Sequence, residues 1–132
     1  MNHLEAIVHI NNLINDDFCN EIIDSYKNFN LKYLPTWGGV NKNERNVLGC
    51  NIPSKKDIFN KIKEQIEKSH IYYKAKFPFI ESHKINQIDL LKYKVGGKYG
   101  YHIDNYTDYS RTTSVIINLN FYMNLLFHYR NH

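Results

Sequence analysis

A chain of 132 residues, 42% hydrophobic and 23% charged, has the size of one domain with its own core and a composition that excludes a disordered polymer. Its net charge of +4 and pI near 9.0 raise the question of nucleic acid, yet the cations are scattered lysines with only Arg45, Arg111 and Arg130 as arginines, so nucleic acid is not the expected partner. No apolar run reaches bilayer length, and the first twelve residues lack the basic start and apolar block of a secretory signal, so a cytoplasmic protein without membrane contact is expected.

Lysine, asparagine, isoleucine and tyrosine are together abundant, the bias of an AT-rich coding sequence, which accounts for the positive charge as compositional drift. Cys19 and Cys50 are too few for a disulfide scaffold and do not form a metal-type pair. In a reducing compartment both are expected as free thiols.

Residues 6–14 alternate loosely, and Ile7-Val8 with His9-Ile10 predict a short first strand. His3 and His9 read as ordinary surface or strand histidines. Asn15-Asp16-Asp17 is a helix N-cap cluster, and Phe18, Cys19, Ile22, Ile23 and Tyr26 follow at helical spacing, predicting a helix over 16–28 with Cys19 on its apolar face. Residues 30–51 carry Pro35, Trp37, Gly38, Gly39 and several asparagines, which is turn chemistry, while Val47-Leu48 opens a strand. A loop of that length in a small domain suits a lid or a substrate contact. Two roles stand open for Trp37: lining a site, or capping the core.

Pro53-Ser54 introduces a second helix over 55–70, with Phe59, Ile62 and Ile66 on one stripe and Lys61, Lys63, Glu64, Glu67 and Lys68 on a solvated face. His70 is expected at its end, where a cation suits the dipole. Residues 71–78, with Tyr72, Tyr73 and Phe77, are expected to pack that helix against a sheet. From Ile85 the period becomes two: Gln87, Asp89, Leu91, Tyr93 and Val95 share one face, and Ile88 and Leu90 the other. Gly96-Gly97 and Gly100 punctuate the next turn, and residues 114–119 form a β-branched run that reads as a buried strand. No repeat or low-complexity linker divides the chain, so residues 1–132 are read as a single domain.

Between those strands stands His102-Ile103-Asp104. Side chains two apart on a strand share a face, so an imidazole and a carboxylate stand side by side, two-thirds of a facial iron(II) site. A lone His-x-Asp recurs by chance; its flanks add specificity. Tyr93, Gly96-Gly97, Tyr101, His102, Asp104, Arg111 and Leu119-Asn120 occur in that order. The stretch resembles the iron(II)- and 2-oxoglutarate-dependent dioxygenases of the prolyl 4-hydroxylase type, closely in the second half of the chain and loosely in the first.

The resemblance implies an α+β fold, a double-stranded β-helix (a cupin-like jelly roll) with the N-terminal helices packed on one side. It implies His102 and Asp104 as iron ligands, Tyr93 reaching a 2-oxoglutarate carboxylate, Asn118 at a second cosubstrate-contacting position, and Arg111 in a structural role. The implied chemistry is hydroxylation of an unactivated C–H bond, with iron(II) as cofactor and 2-oxoglutarate as cosubstrate, and it admits ascorbate. The substrate is expected to be a protein or peptide side chain or a small molecule. Selectivity is expected from residues 30–51, with Trp37 and Arg45.

After Asn120 the sequence leaves the family pattern, which continues with an acidic-glycine turn, further strands, a distal histidine and a basic residue gripping 2-oxoglutarate. Residues 121–132 read as a terminal tail with incidental histidines. The expectation is a C-terminally incomplete dioxygenase that lacks its last strands and is inactive, or one that covers an open sheet edge as a homodimer. Two other uses of the tail are a third ligand from His128 with Arg130 as anion binder, and a metal held by His128 and His132 on one helix face. A non-catalytic jelly-roll binding domain, with His102 and Asp104 as relics, is the alternative class; a basic nucleic-acid module is the third.

Overall fold

Among the described residues of this computed structural model, which are 7–79, 84–100, 111–120 and 123–130, two helices and seven strands form. Helix α1 (Asp16–Tyr26) starts where the sequence marks it. The Asn15 side chain accepts from the Phe18 backbone N–H at 2.8 Å, and Asp16 and Asp17 occupy the first turn. Cys19, Ile22 and Tyr26 make its buried stripe. The strand expected over 6–14 is absent from 7–14. The chain turns there, with Asn12 at φ 55, a conformation asparagine tolerates, and Leu13 and Ile14 pack on the core.

Helix α2 (Asp57–Lys76) runs past the expected end at residue 70. Nothing between there and Phe77 breaks a helix. Pro78 does, because the residue before proline is pushed out of the α region, and Phe77 sits at φ −129 and ψ 75. His70 is consequently not a helix terminus. It lies mid-helix and buried, with Phe59, Ile62, Ile66 and Ser69. Lys74 and Lys76 take the place beside the dipole that His70 was expected to fill.

The strands are β1 (Lys32–Tyr33), β2 (Arg45–Asn46), β3 (Leu48–Asn51), β4 (Lys84–Lys92), β5 (Lys98–Tyr99), β6 (Arg111–Asn118) and β7 (Met123–Arg130). A five-stranded sheet has the order β1-β3-β4-β7-β6, and β2 pairs with β5 in a separate two-stranded sheet. Every pairing is antiparallel. Because β7 is antiparallel to both neighbours, β4 and β6 run in the same direction with β7 between them. The expected terminal tail is therefore, over 123–130, a strand in the interior of the sheet. Its apolar and aromatic residues have high β-propensity, and β4 and β6 each offer it an edge to pair with. An extended backbone at His128 also removes the helical pairing with His132, which lies outside the described residues.

In β4 the alternation slips once. Between Ile85 and Ile88 the strand advances three residues while β7 advances two, a bulge that brings Ile85 to the face of Ile88 and Leu90. Ile88 and Leu90 are fully buried, each contributing about 1.5–3 kcal/mol of burial. They join Ile117 and Leu119 against Cys19, Ile22, Tyr26, Ile52, Phe59, Ile62 and Ile66. Both helices thus cover one face of the sheet. The β-branched run of β6 is not buried on both sides: Ile117 is buried, while Ser114, Ile116 and Asn118 are exposed. The architecture is mixed helix and antiparallel sheet, in agreement with the α+β expectation. No helix among the described residues is long and apolar enough to cross a membrane.

Candidate functional site

Strand β4 ends at Lys92 and Tyr93 follows it directly. A tight turn comes next, closed by the Gly97 N–H donating to the Lys94 carbonyl at 2.7 Å, with Gly96 at φ 77. That positive φ is where glycine is at ease. The turn sends the chain back as β5, where Tyr99 pairs with Arg45 and Lys98 with Asn46. Gly100 N–H donates to the Glu44 carbonyl at 2.7 Å. This small sheet fastens the loop before β3 beside the exit of β4.

Arg45 is the charged centre of that corner. Its guanidinium lies over the Tyr99 ring, 4.4 Å from the centroid, and Nη1 donates to the Pro35 carbonyl at 3.0 Å. Nε is shut off from water and has no hydrogen-bond acceptor. Leaving a buried donor unsatisfied costs about 1–3 kcal/mol, more for a charged group. No ion pair to Arg45 forms among the described residues. Tyr93 is half-buried, and burial pushes its phenol up, against a downward pull from Arg45 and a smaller push from Tyr99. The net shift is upward, so Tyr93 is a neutral O–H donor at physiological pH. The guanidinium and the neutral Tyr93 phenol make this corner rich in hydrogen-bond donors.

Asn118 lies on the sheet face away from the helices, opposite Asn124, which in turn stands opposite Leu91. Two strand spacings across and two residues along place its Cα about 12 Å from that of Tyr93. The two expected cosubstrate contacts therefore belong to one face. The same face carries Asp89, which accepts from Gln87 Nε2 at 2.7 Å and from Asn51 Nδ2 at 3.3 Å; this carboxylate is engaged in holding β3 to β4. His102 and Asp104 lie outside the described residues, as does Tyr101. His128 pairs in register with Ser114. Among the described residues no three histidine, cysteine, aspartate or glutamate side chains gather as a metal-binding group.

No family model, curated protein or solved structure matches this chain. Function therefore rests on the motif order and on this corner.

Trp37 does not cap the core. It sits at the tip of a tight hairpin closed by Thr36 and Gly39, where Thr36 Oγ1 donates to the Gly39 carbonyl at 2.9 Å, and it is 86% exposed. Arg45, of the same loop, makes the contacts to Pro35 and Tyr99, and the sequence signal for it is thin: an arginine in a chain whose other cations are nearly all lysine. Burial, then Asp16, pushes Cys19 up, and burial, then Asp89, pushes Cys50 up, which keeps both protonated. Cys19 is buried on α1 as expected.

Proposed function

We propose that this chain is an iron(II)- and 2-oxoglutarate-dependent dioxygenase-type domain of the prolyl 4-hydroxylase type, built on a jelly-roll sheet, acting on a peptide or small-molecule C–H bond. The observation that carries the reading is the half-buried Tyr93, kept protonated at the exit of β4 on the face away from the helices, a few residues before His102 and Asp104 in the sequence. The antiparallel sheet with both helices on one face supports it. So does the interleaved order β4-β7-β6, which a simple meander would not produce.

In this reading His102 and Asp104 hold the iron, which when bound supplies the oxygen chemistry. Tyr93 donates its phenolic proton to a carboxylate oxygen of 2-oxoglutarate and so orients it. Asn118, exposed on the same face, offers an amide to the same ligand's surroundings. Packing of the helices on the opposite face of the sheet holds Tyr93 and Asn118 in register.

The test is succinate formation from 2-oxoglutarate by the purified chain with iron(II) in air. Turnover is expected in the wild type and should vanish in His102→Ala. Tyr93→Phe should weaken 2-oxoglutarate by about tenfold, the worth of one hydrogen bond to a charged group. Unchanged turnover in His102→Ala would refute the metal assignment. A folded chain that takes up neither iron(II) nor 2-oxoglutarate would instead be a binding domain.

A further inference from the structure

We propose that the C-terminal end of α2 is a docking surface for an anionic phospholipid bilayer, independently of any dioxygenase chemistry. Helix α2 buries Phe59, Ile62, Ile66 and His70 on its inner side. At about 3.6 residues per turn, Ile71 and Tyr72 fall on the outer side, and they are 69% and 59% exposed. Just past the helix, Phe79 is 72% exposed. It stands edge-on to buried Phe77, with ring centroids 6.1 Å apart, and Phe77 meets Tyr73 at 4.9 Å. Three large apolar side chains therefore face water around one helix end, where a solvated surface would carry polar groups.

The charge along α2 changes at the same place. Up to Glu67 the outer surface is balanced: Lys61 Nζ lies 2.6 Å from Glu21 Oε1, and Lys63 Nζ lies 3.7 Å from Glu67 Oε1. From Lys68 to Phe79 there are lysines and no acid; the next acid in the chain is Glu81, outside the described residues. Lys68 and Lys76 stand one turn before and one turn after Tyr72. Their contacts leave the charge in place: Lys68 donates to the neutral Gln65 Oε1 at 3.3 Å, and Lys76 Nζ lies 5.4 Å from the Phe77 ring centroid. Residues 77–83 then return the chain to Lys84, which is in register with Arg130, itself in register with Arg111. That row of three cationic positions is one an anionic surface compensates.

Apolar rings and an aliphatic side chain flanked by lysines match the boundary between acyl chains and anionic headgroups. Tyrosine combines an apolar ring with a polar tip, and lysine stems lie along apolar surface while their ammonium groups meet phosphate. Single-stranded nucleic acid would also meet rings and lysines, but an exposed isoleucine offers a base no stacking face. No helix among the described residues is long and apolar enough to cross a bilayer, and surface contact needs none. The expectation of no membrane contact rested on the length of apolar runs, which does not register a surface patch.

The experiment sediments the full chain with vesicles of phosphatidylcholine alone and with vesicles containing about 30% phosphatidylserine, at roughly 0.1 M salt. Binding is expected to the anionic vesicles only, and to fall as salt is added. Lys68→Gln with Lys76→Gln should weaken it about 25-fold, at about fivefold per lysine. Lys55→Gln with Lys56→Gln makes the same charge change at the start of α2 and should alter binding less than about twofold. Ile71→Ser with Tyr72→Ser keeps every charge and should weaken binding at least about tenfold. Circular dichroism melts establish that the variants are folded; if the Ile71 and Tyr72 pair melts early, Ile71→Ser alone carries the comparison. No binding to the anionic vesicles overturns the proposal. Binding that survives Ile71→Ser with Tyr72→Ser also overturns it, since charge alone would then account for the attraction, and so does an equal loss at Lys55 and Lys56. A single-stranded oligonucleotide held more tightly than the vesicles, and released by the same Ile71 and Tyr72 substitutions, would assign the surface to nucleic acid instead.

Discussion

Gly49 offers a perturbation that tests how closely β3 packs against β4. It stands in β3 opposite Leu91 of β4, and a Cβ added there would lie 2.5 Å from the Leu90 carbonyl oxygen and 2.7 Å from Leu34 Cδ1. Both distances are about 1 Å short of ordinary contact. The Leu34 methyl end can swing aside. The Leu90 carbonyl cannot, because Leu90 is fully buried in the strand that lies between β3 and β7. Overpacking of this kind costs about 1–3 kcal/mol, and the stiffer unfolded chain of an alanine variant returns about 0.4–1 kcal/mol. Gly49→Ala is thus expected to lose about 1–2 kcal/mol, a fall of roughly 3–10 °C in Tm for a domain of this size. Urea unfolding followed by circular dichroism measures it. Leu34→Ala combined with Gly49→Ala should recover only the Leu34 share of the added loss. A Gly49→Ala protein as stable as wild type would refute the packing reasoning.

Removing the α1 cap in Asn15→Ala should cost about 1 kcal/mol, with Asn15→Asp close to wild type, because the side-chain oxygen satisfies the Phe18 N–H; equal midpoints for the Ala and wild-type proteins in urea would discount the cap. Alkaline pH should destabilise the fold. Burial raises Cys19, Cys50, Tyr26, Tyr73 and Tyr93 above their unfolded values, so the folded state keeps protons that the unfolded chain releases first. That contribution is complete below the unfolded values, about 8.5 for thiols and about 10 for phenols, and is lost as pH rises through the raised ones. Urea midpoints should therefore fall as pH rises above about 8.5, less steeply in Cys50→Ala; a flat profile would contradict the directions of these shifts.

Local signals along the chain were enough for both helix starts and for β3, β4 and β6. Asn15 and the spacing of Cys19, Ile22 and Tyr26 specify α1, and the stripe of Phe59, Ile62 and Ile66 specifies the buried side of α2, because a helix is written in contacts three and four residues apart. Within the stretch from Tyr93 to Asn120 the strand over 114–118 was likewise readable, since strand geometry places alternate residues on one face, while His102 and Asp104 lie outside the described residues. Everything that depended on a distant partner was decided by tertiary structure. The bulge that turns Ile85 inward exists only in the pairing with β7, and β7 itself is a strand because β4 and β6 flank it. His70 became a core residue because α2 continues to the constraint imposed by Pro78. Arg45 and Tyr99 are far apart in sequence, and neither carries a mark of the other. The pairing of β2 with β5 brings them together. A local pattern states which face a residue shows; only the assembled sheet states what that face meets.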